Sequence, residues 1–347
     1  MKNNSKNADF GIINYWWCDD HGAILTAYAL QKFISNEGYS SELLKCFWDF
    51  NDKKREGGIS RKFEQKHLIS SDDVYSTYDD IFSPSGKKAL NDKYVGFITG
   101  SDQVFRPEYV PDSWFLSFVE GKGKIAVAAS FGIDIFNCED VKRFERISSS
   151  IRSFDYISIR EESGLEICSK AFGVEASFLL DPVFLINKDE YLTIIEESKI
   201  KCTEKYIFCY IRDGSERMDK LISEMAKKYS LSVVLCHENM LIEDFLYYIS
   251  NSEYVITDSY HGMCFSIIFN KNFVCVRNEK RGKTRFETIE KRLKLNPGCF
   301  FDEKEEIERI PIVDYIETNT ALKQLSETGI KWLKSALRAT HDRYRAR

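Results

Sequence analysis

Short apolar runs alternate with amphipathic segments along most of this chain. A run of about four to eight apolar, β-branched or aromatic residues predicts a buried strand, and apolar positions that recur about every 3.6 residues predict a helix. Strands are predicted over residues 10–14, 94–99, 124–129, 156–159, 178–180, 205–211, 231–236, 254–257 and 273–276. Helices are predicted over residues 23–36, 141–154, 164–172, 215–229, 242–250 and 284–293, after Ser259, and from Ala321 onward.

This alternation of strands and helices occurs in two series, which predicts an α/β protein with two parallel sheets flanked by helices. Asp181-Pro182 interrupts the pattern between the two series. We therefore expect an N-terminal domain over residues 1–180, a C-terminal domain over 181–320 and a basic helical segment over 321–347, with a cleft between the domains.

Residues 49–93 form the most polar part of the chain and include the charge run Asp52-Lys-Lys-Arg-Glu56. We expect a mobile loop with short helices here. Long loops often serve as lids or substrate loops, and a plain surface insertion is the equal alternative.

The composition is that of an ordinary soluble protein, with 43% hydrophobic and 30% charged residues. A net charge of -5 provides no basic surface of the kind that binds nucleic acid. The ten cysteines include no CxxC pair, and several lie inside apolar runs, where a thiol acts as a small hydrophobic group. Because the amino terminus lacks the apolar run of a signal peptide and no segment is long enough to span a bilayer, we expect a cytoplasmic protein.

The familiar strong motifs are missing from the sequence. It contains no GxxxxGK[ST] phosphate loop, no GxGxxG after a strand, no HExxH and no GxSxG. The five histidines have no metal-ligand spacing, so we expect neither a metal site nor a bound cofactor.

Polar clusters follow several predicted strands at their carboxyl ends, where open α/β sheets bind ligands. The clusters are Ser101-Asp102-Gln103, Arg160, Arg212-Asp213 and Asp258-Ser259-Tyr260-His261, with Arg285 in the helix beyond the last of them. His261 stands where a strand passes into a helix, whose N-terminus offers N–H groups and partial positive charge to an anion. Since guanidinium groups bind carboxylate and phosphate, the clusters predict a site for a small polyanion. The alternative is a histidine held by local hydrogen bonds and arginines in surface ion pairs.

Six groups of residues occur in order along nearly the whole chain. They are Asn14-Tyr-Trp-Trp17 with His21-Gly-Ala-Ile-Leu-Thr-Ala-Tyr-Ala-Leu-Gln31, Gly100-Ser-Asp-Gln-Val-Phe105, Ala128-Ala-Ser-Phe-Gly132, Ser158-Ile-Arg-Glu161, Asp181-Pro182, and Asp244-Phe-Leu246 leading into Thr257-Asp-Ser-Tyr-His-Gly262 and Phe265-Ser266. Each group alone is weak, but together they resemble the polysaccharide pyruvyl transferase family.

This resemblance implies a GT-B-like fold, in which two Rossmann-like domains face a cleft and a C-terminal helix closes the molecule. It also implies transfer of the enolpyruvyl group of phosphoenolpyruvate to a sugar of a surface polysaccharide or its precursor, which forms a pyruvate ketal without a cofactor. Carried over by position, His261 is the expected acid and Asp102 a second catalytic residue. The residues expected to bind substrate are Asn14, His21, Ser101, Gln103, Arg160, Arg212, Ser259, Tyr260 and Arg285. The acceptor is expected on the N-terminal domain and phosphoenolpyruvate on the C-terminal domain.

The chain departs from the family pattern at two places. Ser259-Tyr260-His261 stands where many members have Arg-Leu-His, so one anion-binding arginine is missing, and Arg285 is the candidate replacement. Asp20-His21-Gly22 stands where Asn-Tyr-Gly is common, which puts the acceptor side in question.

Two further interpretations stay open. The basic C-terminal helix either packs on the domains with a solvated basic face or touches a membrane surface, as a lipid-linked acceptor would favour. The alternatives to pyruvyl transfer are a nucleotide-sugar glycosyltransferase of the GT-B class and a non-catalytic glycan-binding protein of the same pathway.

Overall fold

The computed structural model describes residues 8–46, 58–75, 81–108, 110–277, 282–302, 305 and 307–345. The charge run predicted to be part of a mobile loop lies outside these described residues. The chain divides into two compact units, which are formed by the described residues of 1–185 and 325–347 (unit 1) and of 186–324 (unit 2). The segment that the sequence sets apart as a C-terminal tail therefore belongs to unit 1 from residue 325 onward.

Unit 1 is built on a seven-stranded parallel sheet with the strand order β3-β2-β1-β4-β5-β6-β7. Its strands are β1 (Phe10–Ile13), β2 (Ser41–Cys46), β3 (Ser70–Tyr75), β4 (Gly96–Thr99), β5 (Gly123–Ala129), β6 (Tyr156–Ile159) and β7 (Ser177–Phe178). The intervening helices are α1 (His21–Asn36), α2 (Ile59–His67), α3 (Pro84–Lys93), α4 (Val141–Arg152) and α5 (Glu162–Phe172). Strands β2 and β3 were not predicted from the sequence.

Helix α1 begins earlier than the apolar spacing indicates. The Asp20 side chain caps it by accepting a hydrogen bond from the Ala23 N–H at 3.1 Å, so His21 and Gly22 lie in the first turn rather than in a loop. The helix is buried on almost every side, which is the expected environment for a helix that is apolar nearly all round.

Unit 2 is built on a five-stranded parallel sheet with the strand order β12-β11-β10-β8-β9. Its strands are β8 (Tyr206–Tyr210), β9 (Ser232–Leu235), β10 (Tyr254–Thr257), β11 (Asn272–Arg277) and β12 (Phe300–Asp302). Its helices are α6 (Lys188–Ile195), α7 (Glu216–Tyr229), α8 (Ile242–Asn251), α9 (Tyr260–Ile268) and α10 (Thr284–Arg292). The four strands predicted for this unit, β8 to β11, and the predicted helices α7, α8 and α10 agree with the structure to within one residue, whereas β12 was not predicted.

The C-terminal helix α11 (Tyr315–Arg345) packs its later turns on unit 1. Thr340 comes close to the first residues of β4 and β5. A Cβ at Gly123 would lie 2.1 Å from Thr340 Cγ2 and would force a shift, and a Cβ at Gly96 would lie 3.0 Å from the same atom. Several of its cations pair with unit 1 acids, namely Lys334 with Glu37, Arg343 with Asp155 and Arg345 with Asp9. Much of the basic face is thus engaged within the unit.

Among the described residues, no helix combines the length and the apolar character that crossing a membrane requires.

Candidate functional site

Each sheet reverses its strand order at one point, and the candidate residues follow the strands on both sides of it. In unit 1 the order runs outward from β1 to β2 and β3 and resumes on the other side of β1 with β4. In unit 2, β9 lies on one side of β8 and β10 on the other. Open α/β sheets bind ligands at such reversals, outside the carboxyl ends of the strands. Asn14 and residues 101–103 follow β1 and β4, and residues 212–213 and 258–261 follow β8 and β10.

The unit 2 reversal is held together by Asp258, which is 3% exposed. Its two carboxylate oxygens accept hydrogen bonds from the backbone N–H groups of Arg212 at 2.6 Å and Asp213 at 2.8 Å. The Asp258 carboxylate therefore accepts the hydrogen bonds of two backbone N–H groups in the loop after β8 and fixes that loop against the end of β10.

Helix α9 starts directly behind this loop. Ser259 caps it by accepting a hydrogen bond from the Gly262 N–H at 3.4 Å, and Thr257 Oγ1 accepts one from the Ser259 N–H at 3.0 Å. Gly262 is required by packing, because a Cβ there would lie 2.2 Å from Thr257 Oγ1. The close approach fixes the helix N-terminus, with its partial positive charge, at the strand end.

His261 lies in the first turn of α9 and is 5% exposed. Its ring meets the Tyr260 ring edge to face, with centroids 5.5 Å apart. Arg285, which is 6% exposed, places its guanidinium carbon 5.5 Å from the centre of the same Tyr260 ring. The structure thus brings three predicted residues together: an imidazole, a nearly buried guanidinium and the tyrosine that both contact.

In unit 1, Asp102 has a strained backbone conformation. Its φ angle is 83°, in the left-handed region that glycine favours, and Ala128 at the bulged end of neighbouring β5 has a φ angle of 47°. Asp102 Oδ1 accepts hydrogen bonds from the Gln103 N–H at 2.8 Å and from Arg160 Nη2 at 3.0 Å. Backbone strain of this kind concentrates at functional sites, and the Asp102 side chain keeps 19% of its surface exposed.

Arg160, which was predicted to bind substrate, lies in the interior of unit 1. Its side chain is 0% exposed, and Nη1 bonds to the Asp181 carboxylate and, at 3.2 Å, to Ser101 Oγ. Ser101 is equally buried and donates to Ala128 O, with Asp181 Oδ2 at 2.8 Å from the same hydroxyl. Arg160 and Ser101 therefore form a buried hydrogen-bond network with the carboxylates of Asp102 and Asp181.

The other predicted residues of unit 1 are also buried. His21 is 2% exposed in the first turn of α1, and Gln103 is 8% exposed, with its Oε1 accepting a hydrogen bond from Arg106 Nη1 at 3.0 Å. Asn14 is 5% exposed and lies against Gly100, where a Cβ would come within 2.7 Å of Asn14 Nδ2.

The sequence interpretation did not assign site roles to two buried acids, Asp181 and Glu161. Asp181 Oδ1 accepts hydrogen bonds from the Val183 N–H and from Thr26 Oγ1, in addition to the Arg160 contact. Glu161 Oε1 accepts hydrogen bonds from the N–H groups of Phe131 at 2.7 Å and Gly132 at 3.2 Å. Burial raises the pKa of the Glu161 carboxyl, against the opposing effects of Arg160 and these bonds. The sequence signal for these two acids was that Glu161 and Asp181 both belong to the groups of residues that resemble the family.

Three buried cysteine thiols are unsuited to act as nucleophiles. Burial raises the pKa of Cys168, Cys209 and Cys299 to about 12, so these thiols stay protonated. The described residues contain no group of three or more His, Cys, Asp or Glu side chains that could hold a metal ion.

The model of one protein family, polysaccharide pyruvyl transferase, matches residues 20–280. The chain belongs to this family. The matched range includes Asp102 and His261, whereas Asn14 and Arg285 lie outside it. A comparison with curated proteins gives no match.

Solved structures similar to this family member have the GT-B fold. A UDP-GlcNAc 2-epimerase from Neisseria meningitidis, bound to UDP-GlcNAc, has a TM-score of 0.55 at 12% identity, covering 94% of this chain and 93% of that one. A UDP-N-acetylglucosamine 2-epimerase from Rickettsia bellii has a TM-score of 0.52 at 8% identity, covering 95% and 96%. A glycosyltransferase from Rickettsia africae has a TM-score of 0.50 at 10% identity, covering 97% and 94%. The predicted GT-B fold, with two parallel α/β units, is confirmed.

Proposed function

We propose that this family member transfers the enolpyruvyl group of phosphoenolpyruvate to a sugar of a surface polysaccharide or its precursor, forming a pyruvate ketal. The observation that carries the proposal is the grouping of His261, Tyr260 and Arg285 at the N-terminus of α9, in a chain that belongs to the polysaccharide pyruvyl transferase family. The donor is a substrate, and the proposal includes no cofactor or metal.

The chemistry requires an acid, an anion site and a group that accepts a hydroxyl proton. His261 protonates the methylene carbon of the donor, which forms a C–H bond and leaves a cation at the central carbon. A sugar hydroxyl oxygen bonds to that carbon, and its proton passes to a general base. The bond to phosphate then breaks, which releases inorganic phosphate and leaves an oxocarbenium ion. The second hydroxyl of the same sugar attacks this ion to form the second C–O bond, and its proton returns to His261.

Arg285 is proposed to supply the positive charge that relatives with Arg-Leu-His obtain from their arginine. Its guanidinium lies over Tyr260, the neighbour of Ser259, where the chain lacks the family arginine. A guanidinium that is 6% exposed is poorly screened by water, so its attraction for a carboxylate or phosphate is stronger than at the surface. Arg212, whose N–H is bonded to Asp258, is the second candidate cation of unit 2.

The contacts of Asp258 favour a small donor over a nucleotide sugar. Diphosphates in α/β enzymes commonly bind to backbone N–H groups where a strand passes into a helix. Here the N–H groups of Arg212 and Asp213 are bonded to the Asp258 carboxylate. A second anion at these amides would meet that carboxylate. Because phosphoenolpyruvate is a cytoplasmic metabolite, the proposal also assigns the reaction to the cytoplasm.

The test measures phosphate release and product mass with purified protein, phosphoenolpyruvate and a galactoside, beside parallel reactions with UDP-sugars. We expect turnover with phosphoenolpyruvate and the galactoside, and none with the UDP-sugars. The turnover rate of His261→Ala should fall by at least about 100-fold, the usual contribution of a general acid. His341→Ala is the matched control. His341 lies on α11 and packs against the Tyr39 ring, away from both strand-end clusters. Full phosphate release by a folded His261→Ala protein, or turnover of a UDP-sugar instead, would refute the proposal.

A further inference from the structure

Strand β9 is an edge of the unit 2 sheet with an apolar sequence. It reads Ser232-Val-Val-Leu235 and, among the described strands, pairs with β8 alone. Val233 is 37% exposed and Leu235 is 58% exposed. These two side chains point to the same face of the sheet, because successive side chains of a strand alternate between its faces. The edge therefore presents two apolar side chains beside the outward-facing backbone groups of the strand.

The other three edges among the described strands have features that hinder pairing. Strand β7 is two residues long. Strand β12 is three residues long and ends at Asp302, whose carboxylate pairs with Arg277 and Lys283. The sequence of β3 includes Asp72 and Asp73. Very short strands and charged residues are common means of keeping a sheet edge from pairing with another chain, and β9 contains neither a charge nor a proline.

The hydrogen bonds to β8 determine which backbone groups of β9 face outward. Cys236, directly after the strand, donates its N–H to Cys209 O at 2.8 Å. Alternate residues of a strand direct both their N–H and their C=O to the same side, so Val234, two positions earlier, also faces β8. The N–H and C=O groups of Val233 and Leu235 therefore point away from the sheet.

We propose that two copies of this chain form a dimer by pairing their β9 strands in antiparallel orientation, with a twofold axis at Val234. In this register, Val233 of each copy lies opposite Leu235 of the second copy, and such a pair exchanges both of its N–H···O=C bonds. The same pairing brings the exposed Val233 and Leu235 side chains into contact across the strands. A twofold dimer requires a surface that is complementary to itself, and this edge meets that requirement.

The residues that flank β9 oppose no like charges in this register. Glu238 of one copy would face Ser230 of the second copy, next to the last turn of α7 with its Lys227. His237 would face Leu231. Because the paired strands are short, the contact area stays below the roughly 1,200 Å² of a standard interface. We therefore expect a reversible dimer with a dissociation constant of roughly 1–100 μM.

Analytical ultracentrifugation of the purified chain at about 1 to 200 μM tests the association. The mass should rise with concentration from that of one copy towards that of two. Leu235→Lys places a charge on the edge and should weaken the association at least about 10-fold, with an unchanged thermal midpoint because the side chain is exposed. Ile316→Lys is the matched control. Ile316 is 82% exposed and lies on α11 rather than on the β9 edge, so this variant should associate like the unaltered protein.

Cysteine cross-linking tests the register. Val234→Cys would place each new thiol opposite its own counterpart, with Cα atoms about 4.5 Å apart, which lies within the range of a disulfide. Mild oxidation should therefore link two copies. Val233→Cys would place the two Cα atoms about 8–9 Å apart, too far for a disulfide, so this variant should link no more than the unaltered protein with its native cysteines.

The inference does not depend on the proposed function, because it uses no residue of the candidate site and no assay of turnover. A mass of one copy over the whole concentration range would overturn it and leave β9 to a strand of another protein. Association of Leu235→Lys equal to that of the unaltered protein, or equal cross-linking of the two cysteine variants, would overturn it as well.

Discussion

Removing the positive charge of Arg160 should destabilise unit 1 strongly. Arg160 is 0% exposed, and its guanidinium bonds to the carboxylates of Asp181 and Asp102 and to the Ser101 hydroxyl. Arg160→Met keeps much of the side-chain volume but leaves the Asp181 carboxylate, also 0% exposed, without its counter-ion. Breaking a buried ion pair at one partner costs about 3–5 kcal/mol, because an uncompensated charge remains in the interior.

This loss is large compared with the total stability of a folded domain, which is about 5–15 kcal/mol. For a body of about 150–250 residues it lowers the thermal midpoint by roughly 6–20 °C. The hydrogen bonds that Thr26, Ser101 and Val183 donate to Asp181 would remain and would stabilise part of its negative charge. They place the expected loss nearer the lower end of that range.

Urea unfolding, followed by circular dichroism, measures the change in the free energy of unfolding. Arg338→Met is the control, because Arg338 forms an ion pair on the surface with its side chain 80% exposed, and such pairs contribute less than about 1 kcal/mol. The double variant Arg160→Met with Asp181→Leu should recover most of the loss, since it removes both buried charges together. A cost for Arg160→Met no larger than that for Arg338→Met, or a double variant no more stable than the single one, would refute the reasoning.

Two further predictions concern the start of β5. Gly123→Ala should destabilise unit 1 by about 1–3 kcal/mol in the same urea assay, because the new Cβ would lie 2.1 Å from Thr340 Cγ2. Gly214→Ala, with no atom within 4 Å of the new Cβ, should cost little, and equal losses in the two variants would contradict the packing argument. Burial lowers the pKa of Lys124 to about 8, against the opposing effects of Asp155 and Glu120. The folded state therefore binds fewer protons than the unfolded state between pH 8 and 10.5, so the stability relative to Lys124→Met should rise with pH across that interval, by about 3 kcal/mol at most. If the free energy of unfolding of the unaltered protein and that of Lys124→Met change in parallel with pH, burial does not lower the pKa of Lys124.

The strands that carry the candidate site could be predicted from the sequence, and those at the far edge of unit 1 could not. Strands β4, β5, β6, β8 and β10 are buried apolar runs, and their carboxyl ends deliver the polar clusters in the predicted places. Strand β3 reads Ser70-Ser-Asp-Asp-Val-Tyr75, which has low intrinsic preference for a strand. It forms at the sheet edge by pairing with β2, and such tertiary pairing is not visible in the local pattern.

The residues of the site could be named from the sequence, but their roles depend on contacts between distant positions. The sequence predicts that Arg160 binds an anion. Its ion pair with Asp181, 21 residues further on, cannot be predicted from the local pattern. The proximity of Arg285 to Tyr260 likewise depends on how α10 packs beside α9. His21 lies outside the predicted helix over 23–36 because the apolar spacing begins later, whereas the Asp20 cap starts the helix at His21.

The two units share one arrangement of a buried acidic side chain against a loop that follows a strand. In unit 1 the Glu161 carboxylate binds the loop amides of Phe131 and Gly132, and in unit 2 the Asp258 carboxylate binds those of Arg212 and Asp213. In both cases an internal carboxyl group accepts hydrogen bonds from backbone N–H groups of a loop that follows a strand, and in unit 2 this loop lies at the strand-order reversal, where nucleotide-binding enzymes offer such groups to a diphosphate. Under the proposed function, the side chains of His261 and Arg285 and the N-terminus of α9 would therefore select the anionic donor in unit 2. A compact donor with a carboxylate and one phosphate fits side-chain recognition of this kind better than a diphosphate that needs a row of amides.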